Sequence, residues 1–235
     1  MAKEYPDLKF AIVDMVVDLP NVQSIVFKEH EGSFLVGILA AMASKTGSVG
    51  FVGGMDIPLI RRFGCGYAQG VLAVKPDATV ILNMTGTTPA AWNDPVKGAE
   101  LAKAQKSQGA DVIFAAAGGT GVGVLQAAAD EGILSIGVDS NQNYLHPGSV
   151  LTSMVKRVDN AVYDAFKEGP DLKPGIAVMD LMAGGVDVAL LRLPANTTGL
   201  AVIALYEETT VAVVPTDHVL TAADEITATD LDGEP

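Results

Sequence analysis

One cysteine in 235 residues, Cys65, leaves no room for an internal disulfide or a thiolate metal cluster. It reads as a small buried hydrophobe ahead of a reactive thiol. Basic charge is scarce as well. Fifteen Lys and Arg face twenty-eight Asp and Glu, and the net charge of −13 offers no basic stripe to offset repulsion from a phosphate backbone, so nucleic acid is not expected as a partner. Long apolar runs are missing: 49% of residues are hydrophobic, yet no uninterrupted stretch approaches the ~20 residues needed to span a bilayer. The opening residues, Met1-Ala2-Lys3-Glu4-Tyr5-Pro6-Asp7, lack a signal-peptide apolar core and a lipobox cysteine. On that ground the chain as written is expected in the cytoplasm. Histidine is limited to His30, His146 and His218, far apart in sequence and each read as a surface or loop residue. No Gly-x-Ser-x-Gly elbow, Walker loop or metal-ligand spacing occurs, so neither catalysis nor a cofactor is expected.

What is present is an alternation of short apolar runs and helical periods, the mark of a mostly parallel α/β sheet. Residues 10–14, 24–27, 48–52, 79–84, 112–116, 136–139 and 150–154 read as strands. Residues 31–44, 58–74, 95–108, 122–130 and 157–167 read as helices. The first helix carries Phe34, Leu35, Ile38, Leu39 and Met42 at three- and four-residue spacing. Asp94 is placed to cap the third, and Gly109 and Gly132 to stop the third and fourth. Beyond about residue 186 the texture changes to strand-like runs without helices. Nine carboxylates there face one basic residue, Arg192. A small, acidic, β-rich segment is expected over 187–235.

The chemistry gathers at strand ends. The run Asp111-Val-Ile-Phe-Ala-Ala-Ala-Gly118-Gly119-Thr-Gly121 delivers a strand to a glycine cluster, where bare backbone can approach a ligand. The next strand ends in Asp139, followed by Ser140-Asn141-Gln142-Asn143. Asp139 is either a helix cap or an acceptor for ligand hydroxyls. Trp92, the single tryptophan, lies in a polar strand-to-helix loop, either as a loop anchor or as a π-face for a flat ligand. Lys156 is a solvated charge unless a site claims it, and Asp14 and Asp56 end strands where each can simply begin a turn. Gly118-Gly-Thr-Gly-Val-Gly123 lacks the G-x-G-x-x-G spacing of a dinucleotide fingerprint.

Five segments follow one another in order: Gly53-Gly-Met-Asp-Ile-Pro58, Trp92-Asn-Asp-Pro95, Gly109 to Gly121, Gly137-Val-Asp-Ser-Asn-Gln142 and Thr152-Ser-Met-Val-Lys-Arg-Val-Asp159. Together, from about residue 5 to 187, the chain resembles the basic membrane protein family of solute-binding lipoproteins, the PnrA-like purine-nucleoside receptor type. The resemblance implies a type I periplasmic-binding fold: two doubly wound α/β lobes with a nucleoside in the cleft between them. It implies segments 1–46 as the remainder of the N-terminal lobe, 47–149 as the C-terminal lobe, 150–186 as a hinge return with an N-lobe strand and helix, and 187–235 as the acidic tail. It also implies roles. Trp92 would stack on the base, Asp139 and Lys156 would hold the ribose, Gly118 and Gly119 would offer backbone N–H groups, and Asp14 would meet the purine edge. Family members carry further residues ahead of this start, including the lipoprotein signal and an aromatic-asparagine loop, so the N-terminal lobe is expected to be incomplete.

Three readings follow. The first is a purine-nucleoside-binding protein (for inosine, guanosine or adenosine) serving an ABC permease and doing no chemistry on its ligand, in a family that is extracytoplasmic. The second is a cytoplasmic nucleoside sensor or regulatory module derived from that family. The third is an enzyme on an α/β scaffold.

Overall fold

The computed structural model describes residues 1–189, all within one compact unit, Met1–Ala201. Nine strands and five α-helices alternate among them: β1 (Phe10–Val13), β2 (Val22–Phe27), α1 (Glu29–Ala43), β3 (Ser48–Met55), α2 (Pro58–Val74), β4 (Thr79–Gly86), α3 (Pro95–Ser107), β5 (Val112–Ala116), α4 (Gly119–Asp130), β6 (Leu134–Asp139), β7 (Val150–Lys156), α5 (Val158–Glu168), β8 (Gly175–Met179) and β9 (Val186–Ala189). A short 3-10 helix, Pro89–Trp92, lies between β4 and α3. None of the described helices is long and apolar enough to cross a membrane.

The strands form two sheets. A three-stranded parallel sheet runs β1-β2-β8, and a six-stranded sheet runs β4-β3-β5-β6-β7-β9, parallel except for β9. This is the expected α/β class with parallel sheets. The sheets do not follow the expected segments in order. Helix α1, from the 1–46 segment, packs on α2, while β7 and β9 complete the larger sheet. Strands β8 and β9 are not among the strands given residue bounds from the sequence. Of the expected acidic tail, residues 190–235 lie outside the described residues.

Central strands β3 and β5 are buried on both faces, as a parallel sheet covered by helices requires. Alternate residues serve opposite layers. Phe51 and Phe114 join Phe63 and Tyr67 beneath α1 and α2, with Phe51 and Phe114 edge to face at 5.6 Å. Val52, Ile113 and Ala115 pack instead with Ala102, Val124 and Leu125 of α3 and α4.

Helices α1 and α2 meet along backbone rather than side chains. A Cβ at Gly70 would collide with the Phe34 carbonyl, and one at Gly66 with the His30 backbone. On the other face of α2, Cys65 is exposed, with Gln69 Nε2 donating to its Sγ at 3.2 Å. The expected buried role is thus corrected. Position 65 points away from the crossing that buries positions 63, 64, 66 and 67.

Two opposing terms act on Gly70→Ala. Ala favours an isolated helix by about 1 kcal/mol, whereas forcing a methyl into close-packed backbone costs about 1–3 kcal/mol. The collision is with main chain that cannot rotate away, so a net loss of stability is expected in urea unfolding. A gain would mean that the two helices separate freely.

Candidate functional site

In a parallel sheet, loops at the carboxyl ends of the strands share one edge, where ligands of open α/β folds bind. Along the β3-β5-β6-β7 edge stand Trp92 with Gly54, then Gly118, Asp139 and Lys156, a row spanning about 15 Å at ~4.8 Å per strand. Asp14 arrives from the carboxyl end of β1 in the other sheet.

These residues fall into two groups. The first is charged. Lys156 is buried, with 6% of its surface exposed, and its ammonium lies over the Phe27 ring, 4.8 Å from Nζ to the centroid. Its ammonium donates to Asp14 Oδ1 at 2.5 Å and lies 3.5 Å from Glu29 Oε1. Glu29, fully buried, also accepts from Arg62 Nε at 3.1 Å. Lys156 is therefore not the solvated charge that its position in sequence suggests by default.

Asp139 faces the same cluster. Although it keeps accessible surface, the protein around its carboxyl desolvates it and holds its pKa above the ordinary carboxylate value. Lys156 opposes that shift, and the negative charges of Asp14 and Glu29 add to it. Asp139 is not a helix cap. Asp14 and Asp139, at φ 66° and 67°, are the two non-glycine residues of positive φ among the described residues. Such backbone strain, about 1–3 kcal/mol each, persists where surrounding structure enforces it and clusters at ligand sites. Around Asp139 the enforcement is visible. Gln142 Oε1 accepts from Val138 N at 2.9 Å, Gln142 N donates to Ser153 Oγ at 3.0 Å, and that hydroxyl donates to Asn143 Oδ1 at 2.8 Å.

The second group is flat and neutral. Trp92 is half-buried, and its ring occupies the space that a Cβ at Gly54 would need. Its loop is pinned by Thr120, whose hydroxyl donates to Ala91 O at 2.8 Å and accepts from Asp94 N at 2.7 Å. Thr85 Oγ1 donates to the same carbonyl at 2.9 Å. Gly118, at φ 56° and ψ −134°, adopts a conformation open to glycine and little else, and no side chain caps the α4 N-terminus that it begins. Gly118 and Gly119 are exposed. Uncapped N–H groups at a helix N-terminus suit an oxygen acceptor.

The structure thus brings Asp14, Asp139 and Lys156 together and sets Trp92, Gly118 and Gly119 farther along the same edge. Asp56 stands apart, held in a two-pronged pair with Arg61 at 2.7 and 3.0 Å that lowers its pKa. Sequence reasoning missed Glu29, Arg62 and Thr120. The run Lys28-Glu29-His30-Glu31 reads as a polar helix entry, and nothing in it separates the buried Glu29 from the part-exposed Glu31.

Residues 1–194 match the family described as ABC transporter substrate-binding protein PnrA-like, and residues 171–235 match the LysR substrate binding domain. An ABC transporter nucleoside-binding protein, BmpA, from Lactococcus lactis subsp. cremoris is 37% identical over 211 residues, covering 80% of this chain and 59% of the relative. A CD4+ T-cell-stimulating antigen from Listeria monocytogenes is 40% identical over 183 residues, covering 70% and 50%. This chain thus spans half to three fifths of the length of these two relatives. Among solved structures, an ABC-transporter solute-binding protein from Aeropyrum pernix K1 superposes with a TM-score of 0.73 at 33% identity, covering 80% of this chain and 55% of that one. A transcriptional activator of the comK gene from Bacillus halodurans gives 0.71 at 25%, covering 85% and 68%.

The raised pKa of Asp139 has a definite sign. Below the ordinary Asp value of about 3.9 both folded and unfolded chains hold the proton, and the group does not affect stability. As pH rises, the unfolded chain ionises first and stability falls until the folded carboxyl ionises too. Asparagine removes that loss and tolerates positive φ. Asp139→Asn should therefore melt higher than the parent near neutral pH, with the gap closing below about pH 4. A gap that is constant with pH would contradict the raised pKa of this carboxyl.

Proposed function

As the chain belongs to the PnrA-like family of ABC-transporter substrate-binding proteins, we propose that it holds a purine nucleoside at the carboxyl edge of its larger sheet. The family is one of binding proteins, not enzymes, and the proposed site acts by recognition alone. The observation that carries the reading is the pair of strained carboxylates, Asp14 and Asp139, set around the buried ammonium of Lys156.

Each residue type suits a part of such a ligand. A ribose diol donates to the Asp139 carboxylate through charge-assisted bonds, stronger than neutral ones. Lys156 donates to the sugar oxygens, as do the uncapped N–H groups at Gly118 and Gly119. Trp92 offers its ring to the base, an aromatic contact contributing about 0.5–1.5 kcal/mol beyond buried area. Asp14, from the other sheet, accepts from the purine edge. A site built around a diol rejects a deoxy analogue, whose missing hydroxyl leaves polar groups unpaired.

A panel of inosine, guanosine, adenosine and their 2′-deoxy forms in calorimetric titration tests this. The ribonucleosides should bind, and at a hundredfold excess over Kd should stabilise the fold by about 2.7 kcal/mol. Binding should also change the emission of Trp92, the single tryptophan. Asp139→Ala should remove the thermal shift and His146→Ala should not. Equal loss from both, or no shift at millimolar nucleoside, would overturn the assignment.

A second reading is a nucleoside-responsive regulatory module. It is favoured by the match of residues 171–235 to the LysR substrate binding domain and by the fold shared with a transcriptional activator. Cell fractionation and permease ATPase assays separate the two. An extracytoplasmic chain that stimulates a permease when loaded supports the first, and a cytosolic chain without that effect supports the second.

A further inference from the structure

Lys156 is useful to a ligand only if its ammonium stays charged and stays in place when Asp14 turns to other work. Asp14 is the closer anion, but its side chain is 37% exposed at the open end of β1, where an incoming ligand competes for it. Glu29 differs in every respect. It is fully buried, begins α1, and has one oxygen facing Lys156 and the other bound by Arg62 from α2. A carboxylate so enclosed is tolerated because two cations and a helix N-terminus surround it. Arg62 bonds one oxygen and so fixes the rotation of the other. Lys156 has three N–H donors. Among the described residues, Asp14 and Glu29 take two and the Phe27 ring lies 4.8 Å from Nζ, which leaves the third without an oxygen acceptor from the protein.

We propose that Glu29 is a positioning residue for ligand binding: held by Arg62, it fixes the buried Lys156 ammonium so that its remaining donor faces the site. The inference rests on the nucleoside reading above for the identity of the ligand, but not for the hold of Glu29 on Lys156. Glu29 does not itself touch the ligand.

The test is a double-mutant cycle on the full chain, with inosine as titrant. Glu29→Gln preserves shape and removes charge. It should weaken binding roughly tenfold, about one charge-assisted hydrogen bond, without changing stoichiometry. In the Lys156→Met background, Glu29→Gln should change the remaining affinity by less than about twofold, because the group it acts through is gone. An unaltered affinity in Glu29→Gln, or the same loss with and without Lys156, would overturn the proposal. A readout without ligand keeps the two readings distinct. In lysine-labelled protein the two ε-methylene protons of a fixed Lys156 are inequivalent, and Glu29→Gln should merge them. Glu29→Asp, which keeps the charge but shortens the reach, gives the same comparison if Glu29→Gln fails to fold. Separate signals surviving both substitutions would refute the positioning role. A parent chain that binds no nucleoside but shows this merging would sink the nucleoside reading and retain the hold of Glu29 on Lys156.

Discussion

The ammonium of Lys156 sits inside the protein between two sheets, and the architecture of the site is organised around keeping it charged there. Removing a lysine head group from water costs several kcal/mol, which is offset only by close partners of opposite sign. Those partners come from different places: Asp14 from the small sheet, Glu29 from the first turn of α1, and Arg62 at one remove from α2. The same contact therefore closes an electrostatic account and ties β7 to β1. Asp139, beside this cluster, ionises reluctantly for another reason. The surrounding protein desolvates its carboxyl first of all, and the negative charges of Asp14 and Glu29 add to that effect against the pull of Lys156.

Rigidity at this edge has a second source. The tryptophan loop is fastened to the first turn of α4 through one hydroxyl, that of the buried Thr120. The loop after β6 is fastened through Ser153 and Gln142. Thr120 and Ser153 are short polar side chains of regular elements that hold irregular backbone, and Gln142 ties its own loop back to β6, so the groups at this edge are anchored to the sheet.

Much of this was legible in the sequence, for identifiable reasons. Helix α2 and strand β5 were placed to the residue, because Pro58 opens one and glycines end the other. Asp94 caps α3 as expected, accepting from Lys97 N at 2.9 Å. Strand β3 was read too short. Gly53 and Gly54 look like a turn, but here they are strand positions emptied to admit the side chains of Met84 and Trp92. Asp14, Asp139 and Lys156 were marked by their positions at strand ends. Glu29 and Arg62 were not, since a buried ion pair between residues 33 apart leaves no trace in periodicity. The alternation of strands and helices likewise says nothing of which sheet a strand joins.

The two family matches overlap over residues 171–194, and the described strands in that interval, β8 and β9, each lie at the outer edge of a sheet among the described residues. An edge strand has a single ladder to satisfy, so its sequence is constrained from one side where a central strand is constrained from two. The overlap of the two resemblances thus begins at residue 171, leaving the charged cluster and the tryptophan loop wholly on one side of it.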